Sequence, residues 1–285
     1  MSEVTYGRSM FLILALALVA PVFAADTSLQ PPSRSFKAAP LEELSYLELE
    51  PLVPEVLKAE DEARAFEGPG PLRFARPDDV KITPFNDGTW EELEDGSRLW
   101  RLKVLVPGAT DLNFGFTKFY LPPGASLHIV AEEEDYFQGP YTSTDNKAHR
   151  EFWSPVVPGE RAVIELRVPA KAAFEPELEL GRVGSGYRDL FGRKAFEKQG
   201  DCNIDVVCPE GDDWRDEIRS VSRYTIGGTK LCTGNLIMDV PGSMTPHFLS
   251  AHHCNVDESN DQTIRVYWNY ESPTCGQLDG GSLSQ

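Results

Sequence analysis

The sequence predicts a mainly β protein, an antiparallel β-sandwich followed by the opening part of a second β unit. Three observations carry that expectation. Beyond Phe85 the apolar residues recur with a period of two, the period of a pleated strand with one buried face. Pro-Gly pairs recur at Pro107-Gly108, Pro123-Gly124 and Pro158-Gly159, and short alternating runs punctuated by turns are the pattern of a sandwich. All five cysteines, Cys202, Cys208, Cys232, Cys254 and Cys275, fall in the last third, so a cysteine-free middle is followed by a segment of different character. The 285 residues leave room for two domains, and a hydrophobic content of 41% is enough to bury real cores, which excludes wholesale disorder.

Residues 1–24 read as a secretory signal. Arg8 supplies the positive start and Met10 to Ala20 an uninterrupted apolar run. Val22 and Ala24 offer small residues for cleavage after Ala24. The run is shorter than the ~20 apolar residues of a membrane-spanning helix. The expected product is therefore a secreted protein with no membrane contact once the signal is removed. Export implies an oxidising compartment in which cysteines pair.

Residues 25–70 read as a Pro-containing leader (Pro31, Pro32, Pro40), expected to be extended and mobile, and then a helix. Pro54 suits a first helical position, Val56, Leu57, Glu60 and Arg64 follow at helical spacing, and Gly68 ends the run. Residues 71–198 read as the sandwich. Asn86-Asp87-Gly88 and Glu94-Asp95-Gly96 mark turns around Trp90. Trp100, Leu102, Val104 and Val106 alternate with Arg101 and Lys103. Leu112, Phe114 and Phe116 make another strand, and Leu127 to Val130 a third. Ala162, Ile164, Leu166 and Val168 face one way while Glu165 and Arg167 face the other. His128 and His149 read as packing or surface residues, and Glu132-Glu133-Glu134-Asp135 as a solvated charge run rather than a calcium loop.

The junction carries Arg193, Lys194 and Lys198, either an ordinary polar linker or a processing site at Lys194 or Lys198. Against 27 Lys+Arg stand 45 Asp+Glu, a formal net charge of −18, which repels phosphate backbones and argues against nucleic acid as a partner.

Residues 199–285 hold the chemistry. Leu231-Cys232-Thr233-Gly234-Asn235-Leu236-Ile237 and Phe248-Leu249-Ser250-Ala251-His252-His253-Cys254 offer two apolar strands whose ends each carry a cysteine, with His253 directly beside the second. A general base must be held rigidly against its nucleophile, and a covalent staple beside the imidazole does that. These strings resemble the Cys-x-Gly-x-Leu strand and the [Thr/Ser]-Ala-x-His-Cys motif of the chymotrypsin-like serine proteases, with Asn235 where Ser is usual and Ser250 in the Thr/Ser slot. Cys202-Asn203-Ile204-Asp205-Val206-Val207-Cys208-Pro209-Glu210-Gly211-Asp212 and Val266-Tyr267-Trp268-Asn269-Tyr270 narrow the resemblance to the secreted bacterial lysyl endopeptidases. Phe152-Trp153-Ser154-Pro155 and Gly186-Tyr187-Arg188 are similar to the pro-regions of that family.

The resemblance implies a precursor: a pro-region packed on a protease domain, protein or peptide substrates, and no cofactor or metal. It implies His253 as the catalytic base of a Ser-His-Asp mechanism. The implied disulfides are Cys232–Cys254 and Cys208–Cys275, which leaves Cys202 unpaired. It further implies that residues 199–285 are the N-terminal part of a trypsin-like domain, an incomplete chymotrypsin-like β-barrel. No Gly-x-Ser-Gly loop occurs in the sequence, and Asp257 and Asp261 lie too near His253 to orient it from behind. The expectation is a C-terminally truncated precursor, inactive as written. Three other readings remain open at this point: a secreted β-sandwich binding module, a pro-region acting as intramolecular chaperone or inhibitor, and a metal site built from His247, His252, His253 and Cys254.

Overall fold

Alternation of side chains across the pleat puts Trp100, Leu102 and Val104 on one face of their strand and Leu112, Phe114 and Phe116 on one face of theirs. In the computed structural model, which describes residues 29–64, 68, 70–190 and 204–276, these two faces meet. The signal segment with Ala24, the processing candidates Lys194 and Lys198, and Cys202 lie outside the described residues.

The first sheet has six strands. Its main order is Tyr46–Glu48, Arg98–Leu105, Arg161–Val168, Ser126–Ala131 and Phe137–Tyr141, with Thr89–Glu92 also paired to Arg98–Leu105. The second has five: Val157–Pro158, Asp111–Tyr120, Glu177–Gly186 and Ala75–Ile82 in order, with Phe152–Trp153 added to Asp111–Tyr120. Packed face to face they make the predicted sandwich. Its centre is a continuous cluster in which Phe116, Phe119 and Phe152 meet, the last two stacked at 4.7 Å. Buried aromatics of this size dominate core energetics.

The third sheet, also five-stranded, is formed by His247–Ser250, Lys230–Ile237, Val221–Ile226 and Arg265–Trp268, together with Leu72–Arg73. The protein is thus mainly β, and among the described residues the third sheet is open rather than closed into a barrel. No helix of the described residues is long and apolar enough to cross a membrane.

One expectation about the first sheet is corrected. On the sheet face away from the sandwich core, Arg101 and Glu165 are each 1% exposed, and Leu99 and Leu105 beside them are buried as well. The reason is the leader, which is packed on that face instead of extended and mobile. Pro31 and Pro32 are buried. Ser33 N–H donates to Glu165 Oε2 at 3.0 Å and Ala39 N–H to Glu91 Oε2 at 2.7 Å. Arg101 Nη2 donates to Ala39 O at 2.7 Å and also holds Glu91. Further on, Tyr46–Glu48 runs parallel to Lys103–Leu105 and completes the strand edge that Thr89–Glu92 leaves half covered. A buried charge is tolerated only when paired and hydrogen-bonded, and the leader supplies those partners. Of the acidic run, Glu133 to Asp135 are exposed as expected, while Glu132 is half-buried beside Lys103. Glu133 pairs with Arg161 at 2.5 Å and Asp135 with Arg34 at 2.6 Å.

Under the leader, Arg101, Glu165 and His128 form one cross-strand row. His128 is 1% exposed, and burial, opposed by the Leu29 backbone, pushes its imidazole down to about 4. Burial raises the Glu165 carboxyl, against the Ser33 hydrogen bonds that favour its charged form. A histidine depressed in the fold contributes stability above its unfolded value near 6.5 and loses it as pH falls toward 4. That loss amounts to about 3 kcal/mol. The raised Glu165 acts in the opposite sense, so the histidine is isolated by comparison with His128→Leu. Denaturant midpoints measured from pH 7 to 4 should fall more steeply for the parent than for the variant. Parallel slopes would remove His128 as the cause.

The third sheet docks on the sandwich through one apolar cluster, Phe74, Ala75, Val156, Leu190, Leu231 and Tyr267. Val156 N–H donates to Tyr267 Oη at 3.1 Å, and Phe74 N–H to Thr229 O at 2.9 Å. Asn113 Nδ2 reaches from the second sheet to Gly228 O at 2.8 Å. The tip of the Val221–Ile237 hairpin is therefore gripped by the sandwich.

Candidate functional site

The hairpin of Val221–Ile226 and Lys230–Ile237 is the base of the site. Its three-residue turn is Gly227-Gly228-Thr229, in which Gly227 and Gly228 have φ of 56° and 66°, a left-handed conformation that suits glycine. Along the first strand Ser222, Tyr224 and Ile226 point inward in alternation. Tyr224 stands opposite Cys232 in the register. His247–Ser250 then pairs with the far half of the second strand, Ser250 opposite Gly234.

At Ala251 the chain leaves the sheet and turns through a single 3-10 turn, His252–Cys254, which ends on Asn255 in the left-handed region with φ 54°. Cys254 is 1% exposed and bonded to Cys232, 22 residues away in sequence. It packs with Tyr224 and Ile226, and Ile264 and Val266 close over the cluster. Tyr224 Oη and Ser250 Oγ share a hydrogen bond of 2.6 Å, and Ser250 Oγ donates to Thr233 O at 3.1 Å. The turn that carries His253 is thus tied to the sheet by a disulfide on one side of the histidine and a serine on the other. A ring nitrogen of His253 and the two sulfurs lie within 4.8 Å of one another.

The far side of the turn is anchored too. Asn260 Nδ2 donates to Asn255 O at 2.9 Å, and Thr263 Oγ1 donates to Asn260 O at 2.6 Å while accepting from Gly227 N–H at 2.9 Å. The hairpin tip that the sandwich grips is therefore one hydrogen bond from the loop that follows His253.

The imidazole itself is exposed. Among the described residues no carboxylate or hydroxyl is hydrogen-bonded to it. Asp257 is spent locally: its carboxylate accepts from Ser259 N–H at 2.8 Å and from Ser259 Oγ. Those bonds hold its pKa below the usual carboxylate range. His252 is exposed alongside, and His247 sits at the far end of the edge strand, opposite Ile237. The sulfurs near His253 are consumed in the bridge, and a disulfide offers no thiolate to a metal. The arrangement presents one rigidly mounted imidazole to solvent, suited to proton transfer once a nucleophile is brought to it.

Cys208 and Cys275 are bonded as well, across 67 residues. This bridge fastens the segment from Ile204 through the short helices Pro209–Trp214 and Arg215–Ile218, in which Cys208 alone is buried. Tyr224, Asn113 and Thr263 had no signal in the sequence beyond their place in alternating or loop segments. Their partners lie 26, 115 and 36 residues away, respectively.

Comparison with known proteins bears on both halves. The family description "Lysyl endopeptidase N-terminal domain" matches residues 59–179, and "Lysyl endopeptidase, C-terminal domain" matches residues 196–285. A lysyl endopeptidase of Pseudomonas aeruginosa is 26% identical over 227 residues, covering 72% of this chain and 46% of that protein. The chain spans about half the length of the curated relative it matches.

Proposed function

Because this chain belongs to the lysyl endopeptidase family, we propose that it is a secreted serine endopeptidase precursor, with His253 as the general base of a Ser-His-Asp mechanism and a preference for cleavage after Lys, or Lys and Arg. The observation that carries this reading is the mounting of His253. It sits on a one-turn corner stapled by Cys232–Cys254 and pinned through Ser250 to Tyr224, while its ring remains open to solvent. In such a role the imidazole takes the hydroxyl proton of the serine as the acyl-enzyme forms and returns it to the leaving amine.

On this reading residues 1–24 are the signal, cleaved after Ala24. Residues 25–198 are the pro-region, released by processing at Lys194 or Lys198, and residues 199–285 belong to the protease domain. The protein then meets protein or peptide substrates outside the cell. Of the catalytic groups, residues 1–285 supply the histidine alone, so these residues by themselves are expected to be inactive. Recombinant 1–285 should hydrolyse lysyl ester and amide substrates no faster than buffer, and His253→Ala should change nothing. Turnover that disappears with His253→Ala would overturn the inactivity and identify the base in one measurement.

A second reading, in which the N-terminal part acts as intramolecular chaperone or inhibitor, is favoured by a specific contact. Leu72–Arg73 adds a strand to the sheet that carries the His253 corner. Strand addition is a common way for one polypeptide to support or occupy another. Inhibition of the related Pseudomonas aeruginosa enzyme by added 1–285 would support it.

A further inference from the structure

The strand Leu72–Arg73 is only two residues long, pairing with Lys230 and Leu231. A pairing so short needs support from elsewhere: Phe74 N–H continues it to Thr229 O and Phe74 packs with Leu231 beneath it, while the polar support converges on one carboxylate. Asp61, on helix Pro54–Arg64, accepts from Arg73 Nε through Oδ1 at 2.7 Å. Its Oδ2 accepts from Tyr187 Oη at 2.6 Å and from Arg188 Nη2 at 2.6 Å. Arg73 also donates through Nη2 to Leu57 O at 3.0 Å and to Glu60 Oε2 at 2.9 Å, which fixes the strand to the helix. Arg188 Nε donates to Arg73 O at 2.9 Å, so the backbone of the strand is held from the side opposite the third sheet. Leu57 is the one buried side chain of the helix, and Val56 is 55% exposed. The helix is therefore placed mainly by this polar hub.

We propose that Asp61, with Arg73, Tyr187 and Arg188, is a latch that keeps Leu72–Arg73 added to the edge of the His253-bearing sheet, and that opening it frees the Lys230–Leu231 edge while both sheets of the sandwich stay folded. The latch is a property of the contact between the two parts and does not depend on the catalytic reading of His253. Its charges balance locally: two guanidinium groups and a phenol surround Asp61, and Glu60 accepts from Arg73 Nη2. Burial alone would raise the Asp61 carboxyl, yet the three donors hold it below the usual carboxylate range. Burial and the neighbouring Asp61 charge push the Tyr187 phenol up to about 12, so it stays a donor at all ordinary pH. A depressed carboxylate supports the fold above its unfolded value near 3.8 and stops doing so as pH falls through its folded value. The latch therefore stays shut at neutral and mildly acidic pH and opens only in stronger acid.

Hydrogen–deuterium exchange on the full chain at pH 7 tests this. In Asp61→Asn, peptides covering Leu72–Phe74 and Lys230–Leu231 are expected to exchange at least ~10-fold faster than in the parent, while Arg98–Leu105 and Arg161–Val168 of the first sheet and Asp111–Tyr120 of the second keep their protection. Unchanged exchange at both edges overturns the proposal. So does equal acceleration throughout the sandwich, which would make Asp61 a general stabiliser rather than a latch. If Asp61→Asn does not yield folded protein, Arg188→Gln is read by the same criteria; it removes one donor to Asp61 and the bond to Arg73 O but leaves the Asp61–Arg73 pair.

Discussion

Replacing Cys208 and Cys275 together with serine is expected to cost about 4 kcal/mol of stability. The two residues are 67 apart, so the bridge restricts a long loop in the unfolded chain, and the restriction grows with loop length. The shorter separation of 22 residues between Cys232 and Cys254 predicts a smaller loss, about 3 kcal/mol. The folded state adds to the argument. From Ile204 to Ile218 the remaining anchors are polar: Arg215 donates to Val206 O at 2.8 Å and to Asp212 at 2.7 Å, and Ser272 Oγ donates to Asp205 at 3.3 Å. Without the bridge this segment has no buried side chain to hold it. Chemical denaturation of the double serine variant should show the drop, and limited proteolysis should cut first between Ile204 and Ile218. A loss below ~1 kcal/mol would mean that the unfolded chain is already compact around these residues.

Gly228→Ala is expected to destabilise the protein by about 3 kcal/mol, while Gly227→Ala costs only about 1 kcal/mol. Both glycines have positive φ, 56° for Gly227 and 66° for Gly228, so both substitutions strain the backbone alike. The space around them differs. A Cβ on Gly227 would meet nothing nearer than Arg182 Nη1 at 3.9 Å. On Gly228 it would lie 2.0 Å from Asn113 Oδ1 and 3.2 Å from the Trp153 ring. Asn113 is buried and donates to Gly228 O, so it cannot swing away without leaving a polar group unpaired. The excess at Gly228 thus measures the grip of the sandwich on the hairpin tip. Thermal or denaturant unfolding of the two variants side by side checks it, and equal losses would show that the grip contributes nothing.

The sandwich was legible because alternation encodes which side chains share a face. Trp100, Leu102 and Val104 needed no more than their spacing to be assigned to the core. The His253 corner was legible for a different reason: Cys232, Cys254 and His253 form a dense motif whose members act through neighbours close in sequence. Less could be read of the leader. Pro31, Pro32 and Pro40 mark an extended chain, but an extended chain can float or pack, and composition does not distinguish the two. The same limit applies to Arg101 and Glu165, since alternation says that they face away from the core and not what lies on the other side. The Asp61 hub joins residues 61, 73, 187 and 188, and no local pattern announces a carboxylate that will meet two arginines and a tyrosine.

By itself the sequence determined the fold class, the membership of each sandwich face, and the stapled histidine corner, because each is written in spacings of two residues or in a short motif. Tertiary structure alone decided that the leader roofs the first sheet over Glu165 and Arg101. It also decided that Leu72–Arg73 crosses to the sheet of His253 and that Asn113 holds the hairpin tip. The physical reason is common to all three. A backbone N–H or a charged side chain must be satisfied when buried, but any donor or acceptor of suitable geometry can satisfy it, and which one arrives is settled only when distant segments are brought together.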